Sequence, residues 1–261
     1  MTEISIPKSH PRYRSLIERD LLVKGFEEGI VVPQGLIAHG RGEAFDYIIG
    51  ERTLPEAARA AEVAVAMMLL AKHPVISVNG NAAALVPQHI VALSKETGAK
   101  IEVNLFYRTE ARVRKIADHL KKHGATEVLG EKFIEGVPGL ESERRKVDPE
   151  GIYKADLVLV MLEDGDRTEF LKKMGKTVIA IDLNPFSRTA RMADVTIMDN
   201  ITRALPLMVE LAKTLKTKES NSLKELASGY NNQTKLAEYI DCIQKRLKEE
   251  ADKLRSTGSM R

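Results

Sequence analysis

An α/β fold with a largely parallel sheet covered by helices is predicted for this 261-residue chain by three observations. Short apolar, partly β-branched runs alternate with helical periodicity along the chain, and such alternation places helices on the faces of a parallel sheet. The run Val178-Ile179-Ala180-Ile181 is apolar at every position, as suits a strand covered on both faces. Asn, Asp and Gly follow several of these runs, the residues that turn a chain out of a strand and cap the next helix.

In chain order, Pro11 to Gly29 reads as a first helix, with a proline at a tolerated early position and a glycine at its close. At 100° per residue Leu16, Arg19, Val23 and Phe26 share one stripe of it, with Arg12 alongside. An arginine in such a stripe is costly to bury unless a carboxylate or an anion meets it. Gly35 to Asp46 reads as a loop holding His39 and Arg41 between glycines, where backbone and side chain can both approach an anion. Pro55 to Lys72 is a second helix, apolar nearly all round toward its end and therefore buried.

Strands are expected at Val75 to Asn79, Lys100 to Phe106, Glu127 to Leu129, Asp156 to Met161, Lys176 to Asp182 and Val195 to Met198. Helices are expected at Pro87 to Thr97, Thr109 to His123, Arg167 to Met174 and Asn200 to Leu215. Glu131 to Gly151 is polar and longer than an ordinary connection, the signature of a functional or disordered loop. The stretch TKESNS reads as a linker to a charged helix from about Gln233 to Lys253. Residues 1–216 are thus expected to form a nucleotide- and substrate-binding domain, 217–254 a helical extension and 255–261 a disordered tail.

Forty Lys and Arg face thirty-seven Asp and Glu, a formal charge of +3, which gives no reason to expect nucleic acid or anionic lipid as a partner. Cys242 is the single cysteine, so an intramolecular disulfide and a cysteine-based zinc cluster are excluded and a reducing, cytoplasmic setting is expected. The start MTEISIPKSH lacks the apolar core of a signal peptide. Val63 to Ala71, the most apolar segment, is far shorter than the ~20 residues that span a bilayer, so no membrane association is expected.

The ends of the expected strands carry the functional signal, because open α/β sheets bind ligands outside the carboxyl ends of their strands. Asp182, Asn184, Ser187 and Arg188 follow one strand, and Asp199 and Asn200 the next. Each pair alone is an ordinary turn or helix cap; two pairs within eighteen residues around Ser187-Arg188 point to a nucleotide site. Asn79-Gly80-Asn81 ends an earlier strand, and Arg108 follows another. The acidic run Glu163 to Glu169 suits either a magnesium contact or a solvated helix start. No GxxxxGK[ST] and no complete GxGxxG is present.

The blocks GLIAHGRGEAFDYIIGE, SVNGNAAALVP, IEVNLFYRTEARV, LEDGDRTE and IDLNPFSRTARMADVTIMDNITRA together resemble the archaeal phosphopantothenate synthetase family, or 4-phosphopantoate–β-alanine ligases. The resemblance runs from about Ile6 to Leu215 and more loosely beyond. It implies a homodimeric, Rossmann-like three-layer enzyme that joins 4-phosphopantoate to β-alanine with ATP, releasing AMP and pyrophosphate in coenzyme A biosynthesis. It implies ATP contacts at Arg19, Arg41, Asp182, Leu183, Asn184, Ser187, Arg188, Asp199 and Asn200. Magnesium is expected with ATP, its ligands undefined. Asn79, Gly80, Asn81 and Arg108 are candidates for 4-phosphopantoate, Arg41 for catalysis and His39 for the base that takes the amine proton. Two rival readings are an NAD-dependent oxidoreductase, which lacks its Gly-rich turn here, and a non-catalytic ATP-binding dimeric regulator.

Overall fold

In the computed structural model, which describes residues 6–135, 139 and 141–258, five parallel strands form one sheet. They are β1 (Pro74–Val78), β2 (Lys100–Val103), β5 (Leu157–Met161), β6 (Thr177–Ile181) and β7 (Val195–Ile197), in the spatial order β2-β1-β5-β6-β7. The chain steps outward from β1 to β2, returns to the other side of β1, and then continues outward through β6 to β7. The order therefore reverses between β1 and β5, and the crevice beyond their carboxyl ends is the natural ligand site of such a sheet. Register is continuous, with Val75 opposite Lys100 and Val158, and Met161 opposite Ile181.

Alternation along the strands divides the core in two, as the twofold period of a strand requires. Ile76, Val78, Ile101, Leu159, Ile179 and Ile197 face one side, where they pack with Ala60, Ala64 and Met68 of α3 (Pro55–Leu70), Ile90 and Leu93 of α5 (Pro87–Thr97), Ile116 of α6 (Glu110–Lys122), and Leu205 and Met208 of α9 (Ile201–Leu215). Val75, Val158, Val160, Val178 and Ala180 face the other, against Leu171 of α7 (Gly165–Lys173) and the Val147 to Ala155 segment. Both faces are covered, so the apolar strands and the Rossmann-like three-layer arrangement expected from the sequence are found.

Several local expectations are corrected. Gly35 to Asp46 is not a loop but the middle of α2 (Pro33–Ile49), with Pro33 in its first turn and left-handed Gly50 closing it. Gly35, Ala38 and Gly42 lie on one stripe, and Gly35 serves packing, since a Cβ there would run into the Asn81 side chain, while one at Gly42 would make ordinary contact with Leu183. On α1 (Tyr13–Glu27) the buried positions are Ser15, Glu18, Leu22 and Gly25, while Val23 and Phe26 are exposed. The stripe of Leu16, Arg19, Val23 and Phe26 exists but faces outward, because the inner face carries small and hydrogen-bonding side chains that an apolar period overlooks.

The expected strand at Glu127 to Leu129 reduces to one bridge between Leu129 and Glu102, and β2 stops at Val103 instead of Phe106. Within the long polar segment, β3 (Ile134–Glu135) and β4 (Lys146–Val147) pair antiparallel, with a 3-10 turn at Glu143–Arg145. This segment is anchored on fully buried Glu102, whose carboxylate accepts the backbone N–H groups of Asp148 (3.0 Å) and Ile152 (2.6 Å). Burial pushes that carboxyl up to about 7.

Where a linker was expected, α10 (Ser220–Ala227) packs on α3 through buried Leu223. The last helix, α11 (Asn232–Gly258), extends beyond Lys253, and residues 259–261 of the expected tail lie outside the described residues. Leu236 and Tyr239 of α11 are buried with Ile49, Leu54, Leu183 and Met198. Among the described residues no helix is long and apolar enough to cross a membrane.

Candidate active site

Strand-end residues act first as helix caps, and the caps set the edge of the crevice. Asn79 Oδ1 accepts the N–H of Ala82, starting α4 (Gly80–Leu85), while its Nδ2 donates to the Met161 carbonyl at 2.6 Å. One side chain thereby ties the ends of β1 and β5 together at the order reversal. Asp164 caps α7, Ser187 caps α8 (Arg188–Met192) and Asn200 caps α9. Ordinary capping and placement at the crevice coincide here.

Two adjoining chambers, sharing Leu162, open along this edge beneath α2. Leu162 follows β5 with φ +51°, an uncommon conformation for a residue with a Cβ. The nearer chamber to β6 and β7 is lined by His39, Gly42, Glu43, Ile181, Leu183, Asp199, Asn200 and Ile201. The switch-point chamber is lined by Gly35, Ala38, Asn79, Gly80, Asn81, Phe106, Tyr107, Arg112 and Arg144. Asn81 Nδ2 donates to the Gly35 carbonyl at 2.8 Å, holding α2 over this chamber. A Cβ at Gly80 would collide with the Ile30 carbonyl and the Arg112 guanidinium, so glycine is needed for that close approach.

Thus His39, Leu183, Asp199 and Asn200 are brought to one chamber, and Asn79, Gly80 and Asn81 to the other. Asp182 and Asn184 order the adjoining turn: Asp182 Oδ1 accepts the Asn184 N–H at 2.9 Å, Oδ2 accepts the Ser187 hydroxyl, and Asn184 Oδ1 accepts the Phe186 N–H. Burial pushes the Asp182 carboxyl up, against the pull of Ser187 and Asn184. Arg19 pairs with Glu43 at 2.7 Å, and Arg188 pairs with Asp166 and Glu169. Arg41 is exposed on α2 and has no side-chain partner among the described residues. Among the described residues no contact joins these three arginines. Arg108 lines neither chamber; it donates to the Gly130 carbonyl and lies 4.8 Å above the Phe133 ring.

His39 Nε2 is buried without a hydrogen-bond partner, 3.9 Å from Glu18. Burial lowers its affinity for a proton, with Glu18 and Glu43 opposing, so the imidazole is neutral near pH 7 and its nitrogen can accept a proton.

Two buried ionic networks flank the crevice, and apolar periodicity gave no signal for either. In one, Arg203 lies between Asp46 of α2 and Asp199 after β7, with Nη1 to Asp46 at 3.0 Å and Nε to Asp199 at 2.8 Å. Asn200 Nδ2 donates to Asp46 (3.0 Å) and Glu18 (3.1 Å), and the Thr202 and Thr53 hydroxyls complete it on Glu18 and Asp199. In the other, Glu163 meets Arg144 at 2.8 Å and the fully buried Arg167, which also donates to Ser77. Asp164 lies 2.9 Å from Arg144. The acidic run after β5 is therefore engaged by arginines, and among the described residues no group of three or more His, Cys, Asp or Glu is arranged to hold a metal ion.

Residues 56–246 match the family described as phosphopantothenate/pantothenate synthetase. The chain is 57% identical over 245 residues to the 4-phosphopantoate–β-alanine ligase of Thermococcus kodakarensis, covering 94% of each chain. It is 53% identical over 243 residues to the protein of the same name from Methanosarcina mazei, covering 93% of this chain and 96% of that one.

The Arg203 network yields a stability prediction. Arg203→Met leaves Asp46 and Asp199 buried without their cation and is expected to lower the unfolding free energy by about 3–5 kcal/mol. Adding Asp46→Asn should restore part of the loss. Urea unfolding of the single and double variants measures both, and an unchanged midpoint in Arg203→Met would remove the network from the account of stability.

Proposed function

The chain belongs to the phosphopantothenate/pantothenate synthetase family, and from that premise we propose that it joins 4-phosphopantoate to β-alanine in an ATP-dependent, AMP-forming reaction of coenzyme A biosynthesis. The observation carrying this reading is identity above half, along nearly the whole length, to ligases of that name. The two adjoining chambers suit it, since the reaction must hold two anionic substrates side by side.

A carboxylate is a poor electrophile toward an amine. Its oxygen therefore attacks the α-phosphorus of ATP, forming an acyl-adenylate and expelling pyrophosphate; the β-alanine amine then attacks the acyl carbon, forming the amide and releasing AMP and a proton. In our reading the adenosine binds at the strand ends beside Ile181, Leu183 and Ile201, where a cavity of about 20 Å³ must widen to admit it, with Asp199 and Asn200 as polar contacts. Asp182 and Asn184 hold the turn beside it, with Ser187 capping the helix that carries Arg188. The 4-phosphopantoate occupies the chamber of Asn79, Gly80 and Asn81. The reacting carboxylate and α-phosphate then meet near shared Leu162. Positioning and preorganised charge are the main sources of rate in such phosphoryl chemistry.

Arg19, Arg41 and Arg188 are the cations proposed for the triphosphate. The pairs of Arg188 are solvent-exposed, and exposed pairs contribute only about 0–1 kcal/mol, so a polyanion can displace them. Magnesium is expected to arrive with ATP, held by phosphate oxygens and water, and no step here is routed through it. The single cysteine, which is unpaired, accords with a cytoplasmic setting. The outward stripe of Val23 and Phe26 supports a homodimer, in which Arg19 would lie near the subunit contact.

Incubation with ATP, 4-phosphopantoate and β-alanine is expected to yield AMP and the amide in equal amounts by mass spectrometry; ADP would mean an acyl-phosphate route, and NADH binding without turnover would favour the oxidoreductase reading. If His39 accepts the amine proton, His39→Gln lowers kcat and removes an acidic limb. Because burial lowers the His39 pKa, that limb lies below pH 6.5, with the active neutral form lost as pH falls through it. An identical pH–rate profile in the variant would end the role of His39 as base. For the dimer, Phe26→Glu is expected to shift the mass seen by light scattering toward the monomer, and an unshifted dimer would place the contact elsewhere.

A further inference from the structure

A third cavity, of about 280 Å³, opens at the amino end of α1, and Glu43 lines both it and the chamber of His39. Its inner side carries Glu18, Glu43 and Asp46, and its exposed side Lys8, Arg12 and Arg14. Lys8 and Arg14 meet no carboxylate within ion-pair distance among the described residues, and Arg12 donates to the Tyr47 hydroxyl at 3.1 Å. Opposite charges are thus set apart across one cavity, acids inward and bases outward.

The inner side is short of cations. Asp46 and Asp199 share Arg203, and Glu43 has Arg19 at 2.7 Å and Arg12 at 3.9 Å. Glu18 is only 9% exposed, and among the described residues it meets no Lys or Arg within ion-pair distance. Its oxygens accept from Asn200 and Thr202, neutral donors that satisfy hydrogen bonding without supplying a full positive charge. Beside it stands His39, whose Nε2 is 3.9 Å from Glu18 Oε2 and buried without a hydrogen-bond partner. A buried carboxylate that lacks a cation therefore adjoins a buried ring nitrogen that lacks a donor. Both deficits are costly, and a primary ammonium removes both, because its charge answers the carboxylate and a spare N–H reaches the ring nitrogen. Water supplies the hydrogen bonds but not the charge.

We propose that Glu18 binds the ammonium group of the amine substrate beside His39 Nε2, with the substrate carboxylate directed outward to Lys8, Arg12 and Arg14, so that this cavity selects an ω-amino acid over a plain alkylamine. This rests on the functional reading above, and it sets the nitrogen beside the imidazole that takes its proton in that reading. The amine then reaches the reaction space along the wall of Glu43 and His39, while the acid reaches it past Leu162 from the chamber of Asn79 and Asn81.

In the full-length enzyme, Glu18→Gln keeps the hydrogen bonds that tie α1 to Asn200 and Thr202 and removes the charge. It is expected to raise KM for β-alanine by roughly tenfold to a hundredfold while KM for ATP and for 4-phosphopantoate stays within about twofold. Since the charge removed has no cation of its own, the urea midpoint should not fall. A lowered midpoint with KM raised for all three substrates is the mark of a structural role and overturns the proposal, as does a rise in KM for ATP alone. Should Glu18→Gln fail to fold by circular dichroism, Lys8→Ser combined with Arg14→Ser decides, because both side chains are exposed: KM for β-alanine must rise at least about threefold with KM for ATP held, and an unchanged KM overturns it. Wild-type protein that forms no amide from ATP, 4-phosphopantoate and β-alanine ends the functional reading together with this site. Amide formation by wild type and by Glu18→Gln with equal KM for β-alanine ends the amine site alone.

Discussion

The crevice depends on one buried ionic knot, Asp46–Arg203–Asp199 with Glu18 and Asn200 attached. Moving ions out of water costs several kcal/mol each, so such a cluster is tolerable only when every charge is met. Each member comes from a different place: Glu18 from α1, Asp46 from α2, Asp199 from the end of β7, Arg203 from α9. Meeting the charges therefore fixes both N-terminal helices against the carboxyl edge of the sheet. Once α2 is fixed there, its stripe of Gly35, Ala38 and Gly42 can approach the strand ends closely, and His39 is delivered to the chamber wall.

The second knot performs the same task on the other side of Leu162. Glu163, directly after the β5 turn, draws in Arg167 from α7 and Arg144 from the long polar segment. Among its described residues that segment has little regular structure of its own, two short strands and a 3-10 turn, and it is held after β4 by the Glu102 carboxylate and at the 3-10 turn by Arg144. Charge pairing thus replaces apolar packing where the chain must stay open to a ligand. The Asn79 bridge from β1 to the Met161 carbonyl closes the frame between the knots.

How far the sequence disclosed this follows from what each feature depends on. The sheet and helices α3, α5, α6 and α9 were legible because their burial is apolar and periodic. The inner face of α1 was not, since Ser15, Glu18 and Gly25 are buried for hydrogen bonding and close packing. Helix α2 was misread as a loop because glycine lowers helix propensity, while here its value is the absence of a side chain. Asn79, Asn81, Asp199 and Asn200 could be placed at the crevice from the sequence because turn and capping residues and crevice residues occupy the same strand ends. Arg112 and Arg144 gave no such signal: in the sequence one is an ordinary helix cation and the other part of a basic pair. Only their burial, and the lack of a carboxylate beside Arg112 among the described residues, set them apart.

Burial also divides the arginines by what they can do. Arg167 and Arg203 are enclosed with their carboxylates, and taking either away would leave a charge unpaired, so they are structural. Arg188 exchanges partners with solvent at little cost, and Arg41 has none among the described residues, so both are available to an arriving polyanion. Arg112 lies between these classes, held rigidly by two carbonyls yet short of a counter-charge. Rigid placement removes the entropy of ordering a long side chain on binding, and the uncompensated charge gives the ligand a task to complete. A site that must hold two anions against their mutual repulsion needs both kinds, fixed cations that define where one anion sits and mobile ones that follow the other as its charge shifts during reaction.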